Sequence, residues 1–290
     1  MARIAIIGLV GRSMFFEVPR FHSGGETIVA KSLYEEWGGK GFNQAVAAAR
    51  QDAAVSFLGA VNAADAKALR DFCQKEGVRA VLPTKKKPTA TAAILTDGTG
   101  ETRVTVYPGA ELEAKDVDGF AGSIATADFL LLNNEVPEEA NLAAVEIARE
   151  YDVKIIFNPA PARKLPKKIL EAVSIFTPNE FEEASVGRGE DAASTDAEVV
   201  TTLGAQGCRI RSTGEVIPAP EVKAVDSTGA GDTFNAVLAV RLAEDETLHD
   251  ACVAANAAAA QSVAKCHVLP SLPYRNGRAH TPGAPQSCKT

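Results

Sequence analysis

The stretch FLLLNNEVPEEANLAAVEIAREYDVKIIFN, residues 129–158, decides the architecture. Its ends, FLLLNN (129–134) and VKIIFN (153–158), are built on the short apolar runs FLLL and IIF, the pattern of strands covered on both faces. Between them PEEANLAAVEIAREY reads as a helix with proline at its first turn, where no N–H is needed. Strand, helix, strand implies a parallel sheet with helices packed on it.

The same rhythm runs outward in both directions. RIAIIG (3–8), AVSFLG (54–59), VSIFTP (173–178) and VVTTLG (199–204) read as further strands, and GFNQAVAAARQ, ADAKALRDFCQKEG and PKKILEA as helices. The expected fold class is therefore α/β: a three-layer α/β/α sandwich around a mainly parallel sheet. Two regions, 14–37 and 91–107, break the rhythm. TAAILTDGTGETRVTVY carries a hairpin signal at Asp97-Gly98, and both regions read as strands of a small projecting sheet, a lid. One domain is expected over 1–275, with a loose tail, NGRAHTPGAPQSCKT, over 276–290.

Composition narrows the function classes. A formal charge of −7, from 30 Lys and Arg against 37 Asp and Glu, argues against nucleic acid as the partner. A small anion held by backbone dipoles stays compatible with it. No apolar run approaches the roughly 20 residues that span a bilayer, and MARIAIIGLVG reads as a buried strand rather than a leader. A cytoplasmic protein without membrane contact is expected. Cys73, Cys208, Cys252, Cys266 and Cys288 are scattered, with no C-x-x-C pair, and are expected as free thiols.

DSTGAGDTFNAVLAV (226–240) carries the chemistry. Small residues lead into a helical pattern, so the unpartnered first amides of a helix face outward with the positive end of its dipole. A phosphate can approach amides that bear no bulky side chains. Asp232, among them, has two readings: a helix cap, or a base that takes a proton beside the phosphate. Walker, dinucleotide and nucleophile-elbow motifs are absent. WGGKGFNQAVAAAR (37–50) places glycines directly before a helix, as a tight turn or as a close approach to ligand. In TPNEFEEA (177–184), Asn179 and Glu182 share one helical face. They suit either a solvated acidic turn or a magnesium ion that keeps its waters.

Together these strings resemble the ribokinase-like carbohydrate kinases, the phosphofructokinase-B type family, over residues 3–273. The most specific parts are GGKGFNQAVAAAR and DSTGAGDTFN; NPAPAR (158–163), TPNEFE and TTLGAQG (201–207) lean toward the ribokinase branch. The resemblance implies ATP-dependent phosphorylation of the primary hydroxyl of a small sugar, a pentose such as ribose or a relative of it. It implies Asp232 as base and the amides of Gly229, Ala230 and Gly231 as the anion hole. It implies sugar contacts at Gly11, Ser13, Gly39, Lys40, Asn43 and Glu135, and nucleotide contacts at Asn179, Thr202, Gly204, Gly207 and Asn256. Glu182 would hold magnesium through water, and Asp226 and Thr228 a monovalent cation, usually potassium. Pairing of lid sheets implies a homodimer.

The chain departs from that family at several points. Gly11 and Ser13 stand where an Asn and an Asp grip sugar hydroxyls, with Arg12 and Phe16 as candidates for the altered wall. Asn62 replaces a glycine and Asp65 is displaced. His267, in AKCHVLPS, replaces a glycine beside the cation loop. ASVGRGEDAASTDAE (184–198) leaves little room for a peripheral helix. These departures keep two alternatives open: a kinase for a nucleoside or vitamin-like alcohol, and a non-catalytic sugar sensor.

Overall fold

The structure, a computed structural model, describes residues 1–99, 101–186 and 196–275. The chain begins with β1 (Arg3–Ile7), β2 (Gly11–Glu17), β3 (Ser32–Gly38), α1 (Lys40–Arg50), β4 (Ala54–Leu58), β5 (Val61–Asn62), α2 (Ala63–Lys75), β6 (Val78–Val81) and β7 (Thr84–Lys85). It continues through β8 (Ala90–Thr96), β9 (Thr102–Tyr107), α3 (Ala114–Asp118), α4 (Ala121–Ala125), β10 (Phe129–Asn133), α5 (Glu138–Glu150), β11 (Lys154–Asn158) and α6 (Lys167–Ala172). β12 (Ile175–Phe176), β13 (Glu198–Thr202), β14 (Cys208–Ile210), β15 (Val216–Ile217), α7 (Ala230–Leu242) and α8 (Leu248–Val263) complete it.

Nine strands form the main sheet in the order β15-β14-β13-β12-β11-β10-β1-β4-β6. Pairing is parallel from β13 through to β6, and only the β14 and β15 edge is antiparallel. The apolar runs earn this position, as β1 illustrates. Ile4 and Ile6 enter one core with Phe42 of α1 and Ala236 of α7; Ala5 and Ile7 enter another with Val117 of α3 and Ala140 of α5. Each such isoleucine, fully removed from water, is worth about 1.5–3 kcal/mol. Both faces of the strand are thus covered, which is the three-layer arrangement.

The second sheet has the order β3-β2-β8-β9. Its hairpin closes as expected: Asp97 Oδ1 accepts from the Thr99 and Glu101 amides at 2.8 and 3.2 Å. The boundaries differ from expectation. β2 starts at Gly11, and residues 18–31 are irregular, because Pro19 and the Gly24-Gly25 pair interrupt the ladder. β9 is an exposed edge, with Val104 58% and Val106 55% accessible.

Cys73, Cys208 and Cys252 are buried free thiols. Cys266 is disulfide-bonded, which corrects the expectation for that residue; scatter along a sequence carries no information about proximity in the fold. The expected loose tail at 276–290, and most of the short segment expected after Glu183, lie outside the described residues. Among the described residues no helix is long and apolar enough to cross a membrane.

Candidate active site

The site residues gather beyond the carboxyl ends of the parallel strands, where α/β sheets place their ligands. Two helices start there. α1 begins at Lys40, immediately behind the end of β1. A Cβ on Gly8 would lie 2.5 Å from the Gly41 Cα, and one on Gly41 the same distance from the Gly8 Cα. Only two bare carbons let the helix sit this close to the strand.

α7 begins at Ala230, after Gly229 in the left-handed region at φ 79°. A Cβ on Gly229 would lie 2.5 Å from Val268 Cγ1, so space and conformation both demand glycine. The Ala230 amide donates to the Ser227 carbonyl at 3.3 Å. The Gly231 and Asp232 amides have no acceptor among the described residues. This is the outward-facing helix start expected from the sequence, with Ala230 turned into a local turn.

Asp232 does not cap α7. Its Oδ2 accepts from Asn43 Nδ2 at 2.8 Å and its Oδ1 from Gln44 Nε2 at 3.2 Å, both from α1. It is 5% exposed. Burial pushes its carboxyl above the usual range, against the pull of Lys40, Asn43 and Gln44. A carboxylate aimed away from its own helix start, at another helix, is not a cap. Asn43 Oδ1 is buried with no partner among the described residues.

Lys40 and Glu135 complete the centre. The Lys40 amide donates to Glu135 Oε2 at 2.7 Å. Burial opposes the Lys40 charge, yet Asp232, Glu135 and Glu182 together leave its ammonium held above the usual lysine range. Burial pushes Glu135 up to about 7, with Lys40 opposing and Asp232 adding. The loop that carries Glu135 is pinned from below: Asn133 Oδ1 accepts its amide at 3.0 Å. Arg163, from NPAPAR, donates to Asn134 Oδ1 at 3.0 Å and to the Val136 carbonyl at 3.1 Å. Sequence reasoning passed over Gln44, Asn133 and Arg163, although all three lie in or beside motifs already singled out.

Among the residues expected to meet nucleotide, Asn179 and Glu182 form a reciprocal cap. Asn179 Oδ1 accepts from the Glu182 amide at 2.9 Å, and Glu182 Oε2 accepts from the Asn179 amide at 3.0 Å. The Thr202 amide donates to the Pro178 carbonyl at 2.9 Å, which sets this turn beside the end of β13. Gly204 and Gly207 take positive φ in the following turn. Asn256 is buried and ties down β15 through the Ile217 carbonyl at 2.9 Å.

Asp226 and Thr228 form a closed loop. Asp226 Oδ1 accepts from the Thr228 amide at 2.9 Å and Oδ2 from the His267 amide at 3.0 Å. His267 takes φ 62°, the conformation for which its position resembles a glycine's. At the wall expected to meet the sugar, Gly11 is wedged between Gly38 and Ala90, and a Cβ there would lie 2.5 Å from the Ala90 carbonyl oxygen. Ser13 stands over Gly38 on the same face. Arg12 and Phe16 do not line this wall, because strand alternation turns them to the opposite face. Arg12 pairs there with Asp65 at 2.6 Å and lies over the Trp37 ring. Asn62, expected in place of a glycine, has an extended backbone at φ −73° and caps α2 through the Ala64 amide at 3.0 Å.

Comparison with known proteins adds to this geometry. A sequence profile of the pfkB family carbohydrate kinases matches residues 1–274. The ribokinase of Bacillus subtilis is 33% identical over 287 residues, covering 95% of this chain and 98% of that one. A bifunctional ribokinase/ribose-5-phosphate isomerase A of Fructilactobacillus sanfranciscensis is 31% identical over 312 residues, and the chain spans 58% of its length. Among solved structures, a ribokinase from Thermotoga maritima superimposes with a TM-score of 0.85 at 31% identity, covering 96% of this chain and 98% of that one.

Proposed function

Because this chain belongs to the pfkB family of carbohydrate kinases, we propose that it transfers the γ-phosphoryl group of ATP to the primary hydroxyl of a small sugar, a pentose such as ribose. The observation that carries this reading is the placement of Asp232, held by Asn43 and Gln44 at the start of a helix whose Gly231 and Asp232 amides are open.

The chemistry follows from that placement. The sugar hydroxyl lies against Asp232, with Lys40, Asn43 and Glu135 as its hydrogen-bonding neighbours; the free Asn43 Oδ1 accepts from a sugar hydroxyl. As the hydroxyl oxygen bonds to phosphorus, Asp232 takes its proton, and ADP departs with the electron pair of the cleaved bond. Charge developing on the transferred group meets the open amides of Gly231 and Asp232, with that of Gly229 beside them; the Ala230 amide, expected in the hole, is instead taken by the Ser227 carbonyl at 3.3 Å. Losing one such donor commonly costs about 10²–10³ in rate. Phosphoryl transfer asks little else of a protein than alignment and charge neutralisation. Thr202, Gly204 and Gly207 take the nucleotide side, and Asn256 supports that loop from beneath.

Among the described residues no cluster of three or more His, Cys, Asp or Glu could cage a metal. A single carboxylate with one oxygen outside the cap, Glu182 Oε1, fits a magnesium ion that arrives with the triphosphate and keeps its waters. Such an ion, when bound, spreads the negative charge of the phosphates, with Asn179 and Glu182 as its protein neighbours. Each Asp226 carboxylate oxygen accepts one main-chain N–H group and keeps a lone pair for a cation; Asp226 and Thr228 would be the neighbours of a monovalent ion there, and no step is assigned to it. The working unit is a cytoplasmic homodimer, a single kinase domain over 1–275 in each copy, paired through the small sheets. The open edge at β9 supports that pairing.

One observation favours a second reading. Gly11 has no room for a side chain, so this wall has lost a hydroxyl anchor, as a nucleoside or vitamin-like alcohol would permit. A panel of ribose, deoxyribose, nucleosides and hydroxymethylpyrimidine, assayed for ADP release with ATP and magnesium, separates the two. Asp232→Asn, folded as judged by circular dichroism, is expected to abolish turnover. Full turnover in that variant would remove the assigned base.

A further inference from the structure

We propose that Glu36 is a positioning residue for phosphoryl transfer, acting on the Gly229 turn through Val268. This rests on the reading that residues 229–232 receive the transferred phosphoryl group.

Glu36 belongs to β3, in the small sheet, yet its carboxylate reaches the loop after α8. Oε1 accepts from the Val268 amide at 2.9 Å and Oε2 from the Leu269 amide at 3.0 Å. The preceding amide, of His267, goes to Asp226. Three successive N–H groups, with His267 at positive φ, thus form a concave nest of the kind that holds anions. Two carboxylates from distant parts of the chain fill it. Asp226 in turn accepts the Thr228 amide, one residue before Gly229.

The nest carries Val268, 4% exposed, directly onto Gly229. Its Cγ1 fills the space a side chain at 229 would need. Moving Val268 therefore moves the floor under the left-handed residue from which the Gly231 and Asp232 amides take their direction. A second grip acts in parallel. Tyr34, two residues before Glu36 on the same face of β3, stacks on the His267 ring with centroids 3.9 Å apart and planes at 18°. Phe15 of β2 meets that ring edge-on at 5.0 Å. The small sheet thus holds the floor of the anion hole, and does so from the strand that leads directly into Gly38, Gly39 and Lys40.

A carboxylate is required because both amides need acceptors. Gln at 36 offers one oxygen and sets an N–H group against the other amide. The test uses the full chain with ATP, magnesium and the best alcohol from the panel. In Glu36→Gln, kcat is expected to fall about tenfold or more while KM for the alcohol stays within about twofold, since the defect lies in alignment of the transferred group. Val268→Ala is expected to lower kcat similarly. The double variant should be no worse than the poorer single one, because both act on one contact. Binding of ADP with aluminium fluoride, measured by calorimetry, should weaken in parallel, which a defect in folding alone would not produce in the folded fraction. Singles with kcat within twofold of wild type, or single effects that multiply in the double, would overturn the proposal. If Glu36→Gln does not fold, Val268→Ala and its aluminium fluoride affinity decide. Asp232→Asn, run alongside, separates the outcomes: turnover retained there defeats the kinase site itself, whereas a dead Asp232→Asn beside an unimpaired Val268→Ala and Glu36→Gln defeats only the role of Glu36.

Discussion

Asn43 Nδ2 donates to Asp232 Oδ2 at 2.8 Å, joining residues 189 positions apart. The bond ties the first turn of α1 to the first turn of α7, so the residue proposed to grip the sugar also orients the proposed base. It favours the ionised form of Asp232 against the burial that opposes it.

Removing that donor has a predictable sign. Asn43→Ala should raise the Asp232 pKa and move the acidic limb of the kcat/KM profile to higher pH. A loss of about 10²-fold in kcat/KM is expected near neutrality. The pH–rate profile of the variant against wild type checks both, and an unmoved acidic limb would separate Asn43 from the ionisation of the base.

Glu135 and Glu36 are each pushed up to about 7, chiefly by burial. For Glu36 the Val268 and Leu269 amides and Arg50 oppose the shift and Asp226 adds to it. A carboxyl whose folded pKa is raised contributes stability that is fully present below its unfolded value of 4.5 and lost as pH rises through about 7. Melting temperature should therefore fall between pH 4.5 and pH 8, by a few degrees, on the order of ~3 °C per kcal/mol lost. Glu135→Gln should flatten part of that slope. Scanning calorimetry across this range is the measurement.

Gly229→Ala should be costly for two reasons, its positive φ and the Val268 methyl in the way. A loss of about 1–3 kcal/mol in urea unfolding is expected, together with reduced turnover. Adding Val268→Ala should return part of the stability but not the turnover, because only the clash is relieved.

Much of this architecture was legible in the sequence because local pattern and environment agreed. FLLL is an unbroken apolar run ahead of Asn133, and β10 is buried throughout. The GAGD string named Asp232 because small residues and an acid at a helix start are informative on their own. Glu36 was not legible. SLYEEWG reads as a mixed, half-exposed strand, and nothing in it shows that the second glutamate turns inward to amides 232 and 233 positions away. Arg12 and Phe16 were expected at the sugar wall because they lie near Ser13 in sequence. The pleat sends them the other way, and only the pairing of β2 with β3 and β8 fixes which parity faces the site. Asn179 and Glu182 kept their spacing, but their mutual cap, an interaction internal to the turn, could not be told from metal binding by spacing alone.

The paired bare carbons at residues 8 and 41 work as a spacing gauge. They set how far α1 stands off the sheet, and α1 carries both side chains that aim the base. One added methyl at residue 8 would lift the helix away from its seat, with no ligand-contacting group altered. A folded yet inactive enzyme with that change would have lost its calibration and kept every part of its equipment.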